Sequence, residues 1–146
     1  MVDTRELYQQ VILDHNRNPR NFRVIEVPSE HAEGNNPLCG DTVSVDLTMS
    51  DEMIADIAFQ GAGCAISTAS ASLMTEIVKG MTRQDALSLG EDFQALVTGN
   101  SEMQDLGKLT VFAGLRDYPS RVKCATLAWH TLCAAIEGAT DTSTTE

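Results

Sequence analysis

The sequence has no apolar run approaching the roughly 20 residues that a membrane-spanning helix needs. Its opening, Met1-Val2-Asp3-Thr4-Arg5-Glu6, has neither the basic nor the apolar stretch of a secretory signal. These absences predict a cytoplasmic protein without a helical membrane span. Positive charge is scarce: ten Lys and Arg stand against 21 Asp and Glu, for a net charge of -11. Such a chain repels nucleic acid and anionic membranes, although Arg116, Arg121 and Lys123 can form a local basic patch. A protein or metal partner fits that charge better than a polyanion. No Cys-x-x-Cys pair occurs among Cys39, Cys64, Cys124 and Cys133, which removes a zinc ribbon and a thioredoxin-like motif. In a reducing compartment these cysteines are not expected to form structural disulfides. Core thiols, metal ligands and a reactive thiol are the roles left open. There is no internal repeat and no linker, so the chain reads as a single domain over 1–138. The polar stretch 139–146 reads as a disordered tail.

What is present is organised around Gly61-Ala62-Gly63-Cys64-Ala65-Ile66-Ser67. A strand-like alternation from Met53 to Gln60 ends there, and a helix-like pattern begins just after it. Glycines permit a tight turn and a close backbone approach. A cysteine at a helix N-terminus feels the positive end of the helix dipole, which favours the thiolate. Cys64 therefore stands where a ligand or reactive sulfur is expected. A small buried cysteine packing a strand–helix corner would look the same.

The remaining elements follow from periodicity. Asp3 and Glu6 suit the start of a first helix, with Leu7, Tyr8, Val11, Ile12 and His15 on one stripe and Pro19 beyond its end. His15 reads as a capping or core histidine. Residues 20–33 are irregular, with a short edge strand predicted from Glu30 to Gly34, and Gly34-Asn35-Asn36-Pro37 reads as a turn leading to Cys39-Gly40-Asp41. Val43, Val45, Leu47 and Met49 alternate with polar residues, and Met53, Ala55, Ile57 and Phe59 alternate on the return, which predicts an antiparallel hairpin. Antiparallel pairing puts Cys39, before the first strand, at the same end as Cys64, after the second. A helix is predicted from Ile66 to Lys79, ended by Gly80. Two short helices follow, one from Thr82 to Gly90 and one around Phe93, Leu96 and Val97, broken by Gly99-Asn100-Ser101. Leu106 to Leu115 reads as a further helical segment. The last helix runs from Pro119 to Glu137, with Gly138 after it. On its wheel Val122, Ala125, Trp129, Leu132, Cys133 and Ile136 form the apolar stripe, and Cys124 falls off it.

Cys39, Cys64 and Cys124 thus lie at element ends with no packing duty, and Asp41 lies two residues from Cys39. Three thiolates and one carboxylate satisfy a tetrahedral zinc ion. The same thiolates can hold an iron–sulfur cluster, with Asp as the weaker ligand.

Four segments carry a resemblance that goes further. They are Val11-Ile12-Leu13-Asp14-His15 with Asn18-Pro19-Arg20-Asn21, Asn36-Pro37-Leu38-Cys39-Gly40-Asp41, Gly61-Ala62-Gly63-Cys64-Ala65-Ile66-Ser67, and Arg121-Val122-Lys123-Cys124-Ala125-Thr126-Leu127-Ala128-Trp129. In this order and spacing they resemble the NifU/IscU-like iron–sulfur cluster assembly family, most closely its SufU-type branch. The resemblance implies an α+β fold, a small antiparallel β-sheet with helices packed on it. It implies a metal site made by Cys39, Asp41, Cys64 and Cys124. Within it Cys39, in a loop beside the side-chain-free Gly40, reads as the sulfur acceptor, and Asp41, the hardest donor of the set, as the exchangeable ligand. It implies a SufS-type cysteine desulfurase as partner and downstream iron–sulfur assembly proteins or apoproteins as recipients. The scaffold branch carries a histidine just before its last cysteine and a Pro-Pro segment upstream. Here those positions read Lys123 and Pro119-Ser120-Arg121-Val122, and the stretch between Cys64 and Cys124 is longer than in the scaffold branch. These departures point to a zinc-bound sulfur acceptor. The alternatives are a scaffold for a transient 2Fe–2S cluster on Cys39, Cys64 and Cys124, and a zinc-stabilised adaptor domain without transfer chemistry.

Overall fold

The computed structural model describes residues 4–37, 40–99, 107–138 and 143–144. Its sheet grows from the alternating runs. Strands β2 (Asp41–Ser50) and β3 (Met53–Ala62) pair antiparallel, with Val45 opposite Phe59 and Leu47 opposite Ile57. Val45, Leu47 and Ile57 are fully buried, so the period of two turns one face to the core. Strand β1 (Glu30–Asn36) pairs antiparallel with the other side of β2, Asn36 lying opposite Asp41. Strand β4 (Ser143–Thr144) pairs parallel with β1, giving the order β3-β2-β1-β4.

Helices cover the inner face. Helix α2 (Ala65–Val78) packs against β3, and α4 (Pro119–Glu137) packs against β1, β2 and α2. Helix α1 (Thr4–Arg17) lies on α2, and α3 (Arg83–Thr98) on α4. A run of 3-10 turns over Gly107–Asp117 fills the space beside α1, α3 and α4, burying Leu109, Val111, Phe112 and Leu115. No helix among the described residues is long and apolar enough to cross a membrane. The architecture is α+β, a small antiparallel sheet with helices packed on it.

Several local expectations are met for the stated reasons. Thr82 caps α3 by accepting a hydrogen bond from Asp85 N at 3.1 Å. Gly99 and Gly138 close α3 and α4 in the left-handed conformation, at φ 77° and 73°. His15 is buried, its Nδ1 2.7 Å from Ser72 Oγ. Asp3, Asn100, Ser101 and Leu106 lie outside the described residues.

Other expectations change. Asn35 and Asn36 belong to β1 rather than to a turn, because ladder pairing with Asp41 and Thr42 continues to the end of the hairpin. Strand β3 likewise runs through Gly61 to Ala62. At Gly61 a Cβ would stand 2.1 Å from the Thr42 carbonyl oxygen, so only glycine fits this close approach of two strands. The two short helices predicted after Thr82 are one helix. Gly90 sits inside it, where glycine disfavours helix by about 1 kcal/mol relative to alanine. Its bare face receives α4, and a Cβ there would lie 3.4 Å from Cys133 Sγ and 3.8 Å from Trp129 Cε3. Tertiary packing overrides the local break.

The irregular stretch after α1 lies across the outer face of the sheet. Arg23 N donates to the Phe59 carbonyl at 3.1 Å, Ile25 N donates to Asp46 Oδ2 at 3.2 Å, and Ser29 N donates to the Leu47 carbonyl at 2.7 Å. This covers Asp46, which alternation alone would leave exposed. Within the segment read as a disordered tail, Ser143 and Thr144 pair with Gly34 and Asn35; the rest of 139–146 lies outside the described residues. Strand pairing uses main-chain groups, so a polar sequence can still cap an edge.

Candidate metal centre

Three elements converge at one end of the hairpin. Asp41 is the first residue of β2, Cys64 is the N-cap of α2, and Cys124 lies in the second turn of α4. One ligand atom from each lies within 4.8 Å of the other two. Asp41 is only 2% exposed and Cys124 6%, while Cys64 is half-buried, so the cluster meets solvent on the Cys64 side. Cys39 lies outside the described residues. Its neighbour Gly40 has φ +75° and nothing within 4 Å of where a Cβ would stand.

The local folding that builds this corner is specific. Asp41 Oδ1 accepts a hydrogen bond from Cys64 N at 3.0 Å, and the Cys64 thiol lies 3.6 Å from Asp41 Oδ2. Cys64 Sγ accepts from Ser67 N at 3.4 Å, which caps α2 with sulfur in place of the usual oxygen. Gly63 makes room: a Cβ there would stand 2.7 Å from Asp41 Oδ1. The glycine before Cys64 is therefore what lets the carboxylate lie against the start of α2. Cys124 Sγ lies 3.6 Å from the Ser120 carbonyl one turn back, as side chains leaning toward the helix N-terminus do.

Cys124 corrects a sequence expectation. It is buried within the apolar core cluster, not off the core face, whereas Val122 and Cys133 from the predicted stripe are only partly buried. A single-helix wheel assumes one buried side. Helix α4 is surrounded by β1, β2, α2, α3 and the 3-10 run, so most of its circumference is interior.

The donor set fits a cation. Ionised donors this close repel one another by about 3 kcal/mol per pair at an effective dielectric near 20, and a bound cation removes that repulsion. Thiolates around a tetrahedral zinc stand about 3.8 Å apart, given bonds of about 2.3 Å. The separation of at most 4.8 Å between ligand atoms is within a small side-chain adjustment of that geometry.

Cys133 is different. It packs against Gly90, and burial, with the nearby charges of Glu137 and Glu91, raises its thiol pKa to about 11. It stays protonated at neutral pH, a poor ligand and a poor nucleophile. Cys133→Ala is expected to lose about 1 kcal/mol of stability through a small cavity, read as a lower unfolding midpoint in urea. Metal content should equal that of wild type, and a loss of metal in this variant would contradict the assignment of Cys133 to packing alone.

The family model described as the NifU-like N-terminal domain matches residues 7–137. The chain belongs to this family. Among NifU-like relatives, a protein of Streptococcus pyogenes serotype M1 named iron–sulfur cluster assembly scaffold protein IscU is 41% identical over 133 residues, covering 90% of this chain and 83% of that one. A protein of Bacillus subtilis strain 168 named zinc-dependent sulfurtransferase SufU is 41% identical over 128 residues, covering 86% of each chain. A solved structure from the thermophilic Fervidobacterium islandicum AW-1, described as an iron–sulfur cluster assembly scaffold for the SUF system, superposes with a TM-score of 0.83 at 33% identity, covering 92% of this chain and 99% of that one. The family resemblance and the fold expected from the four segments are thus both met.

Of the four predicted NifU-type site residues, Asp41, Cys64 and Cys124 come together. The sequence marks Gly63 as a close approach but not its partner, Asp41, and gives no sign that Ser67 N caps on Cys64. The glycines flanking Ala62 were the available signal, since they marked a close approach without saying to what.

Proposed function

We propose that this chain is a zinc-bound sulfur acceptor in iron–sulfur cluster assembly that takes persulfide sulfur from a cysteine desulfurase. The observation that carries the reading is the convergence of Asp41, Cys64 and Cys124 ligand atoms from three separate elements. The Bacillus subtilis relative named zinc-dependent sulfurtransferase supports it. Cys39 would complete the donor set as three thiolates and one carboxylate. Zinc, when bound, keeps the thiols deprotonated at neutral pH.

The chain's own residues supply the rest. Ser67 N holds the Cys64 sulfur at the start of α2. Asp41, held by Cys64 N, is the donor best able to yield its place to a competing group. Gly40 offers no side chain to obstruct the approach to Cys39. The Cys39 thiolate attacks the terminal sulfur of the donor persulfide. A new S–S bond forms on Cys39, the donor's S–S bond breaks, and the donor cysteine leaves as a thiolate. Charge and electrons balance without an external oxidant. The recipients are downstream assembly proteins or apoproteins.

The test is mass spectrometry after incubation with a cysteine desulfurase and cysteine. The added sulfur is expected on the Cys39 peptide, and Cys39→Ser should abolish it. Persulfide found mainly on Cys124 would reject Cys39 as acceptor. A second reading, a scaffold for a transient 2Fe–2S cluster, is favoured by the Streptococcus pyogenes relative's name. Freshly purified protein separates the two: colourless with one zinc per chain for the acceptor, brown with visible absorption for the scaffold.

A further inference from the structure

Helix α2 is fastened to its neighbours by buried hydroxyls, and the two central ones face different helices. Ser70 Oγ donates to the Ala125 carbonyl at 2.6 Å and accepts from Trp129 Nε1 at 3.2 Å. Ser72 Oγ lies 2.7 Å from His15 Nδ1 and accepts from Arg20 N at 2.8 Å. Both serines are 0% exposed. Ser70 thus ties α2 to two consecutive turns of α4, beginning one residue after Cys124, whereas Ser72 ties α2 to α1 and the segment after it. Trp129 cannot follow a sliding α2 freely, because its ring stacks on Phe93 with centroids 4.9 Å apart and planes at 21°.

We propose that Ser70 is a positioning residue for the candidate metal centre, holding the register of α2 on α4 so that Cys64 and Cys124 keep the same spacing. The inference rests on the zinc reading above. Apolar contacts between helices are non-directional, so they resist separation more than sliding. A hydrogen bond restricts both distance and angle, and Ser70 makes two with groups one turn apart on α4. The demand is strict: one residue of slip along a helix is about 1.5 Å, whereas metal–ligand distances tolerate about 0.2 Å. The remaining ligand atom, on Asp41, is fixed from the sheet side through Cys64 N. What remains is the α2–α4 register, and Ser70 is a polar contact that restrains it.

The experiment compares Ser70→Ala with Ser72→Ala in the full chain. Both remove a fully buried hydroxyl from the same helix, so both should lower the melting temperature by similar amounts. Zinc affinity is measured by competition with a chromophoric chelator well below either melting temperature, and the site is also filled with cobalt(II) to record its thiolate charge-transfer and d–d bands. Ser70→Ala is expected to raise the zinc Kd about tenfold or more, as loss of an orienting contact does at other metal sites, and to shift the cobalt bands. Ser72→Ala should leave Kd within about twofold of wild type, the bound expected where no ligand-orienting contact is lost. Trp129→Phe removes one of the two Ser70 bonds, keeps a ring against Phe93, and should fall between; it decides the question if Ser70→Ala does not fold. Unchanged affinity in Ser70→Ala, or in Trp129→Phe where it must stand in, overturns the inference, as does an equal loss in Ser72→Ala. Wild-type protein that binds no zinc overturns the zinc reading itself.

Discussion

Cys64→Ala is expected to weaken zinc binding at the candidate centre about a hundredfold. Zinc bound by four protein ligands contributes about 10–16 kcal/mol, so one thiolate accounts for roughly 3 kcal/mol, a rise in Kd of about a hundredfold. The residue also caps α2 through Ser67 N and donates its own N–H to Asp41, but the second of these survives truncation of the side chain. The loss should therefore appear chiefly in metal affinity. With zinc in excess, a hundredfold weaker Kd removes about 2.7 kcal/mol of linked stability, or about 8–10 °C in melting temperature for a chain of this size. Chelator competition and calorimetry read the two quantities, and chelating zinc from wild type should lower the melting temperature further than this substitution does. Cys124→Ala should behave alike with a further loss from its buried cavity, since Cys124 belongs to the core cluster. A zinc Kd in Cys64→Ala equal to that of wild type would remove Cys64 from the ligand set.

The parts of this centre legible in the sequence were those set by local rules. Alternation from Val43 to Met49 and from Met53 to Phe59 specifies a hairpin, and a hairpin places its start beside its end, hence Asp41 beside Cys64. The glycines before Cys64 mark a close approach, which the clash of a Gly63 Cβ with Asp41 accounts for. What was not legible depended on partners distant in sequence. The burial of Cys124 follows from α4 being enclosed on several sides, which no wheel of α4 alone contains. Gly90 reads as a break until Cys133 and Trp129 are seen to pack over it. Ser70 reads as an unremarkable helix residue until Ala125 and Trp129 arrive from a helix far along the chain. Local signals thus put Asp41 beside Cys64, and long-range contacts bring Cys124 to them.

Asp41→Cys should separate metal binding from sulfur transfer. Carboxylate is the hardest donor in a thiolate set and the least well matched to zinc, so it is the position a partner's competing group would take. Its departure would leave Cys39 less constrained for attack while the other donors keep their places. Asp41 also has a purely structural duty, since its Oδ1 accepts from Cys64 N in a corner where it is 2% exposed. Two substitutions distinguish these roles. Asp41→Asn keeps an acceptor for Cys64 N and removes the anionic donor, so the corner should fold while zinc binds more weakly. Asp41→Cys supplies a fourth thiolate, so zinc should bind at least as tightly as in wild type. The exchangeable position is then closed, and the rate of sulfur uptake from a desulfurase should fall about tenfold or more, as expected when a barrier rises by at least about 1.4 kcal/mol. The measurement is a single-turnover time course of persulfide on Cys39 at saturating desulfurase, with zinc content determined on the same samples. Wild-type rates in Asp41→Cys at full zinc occupancy would leave Asp41 a structural residue and the exchange step without support.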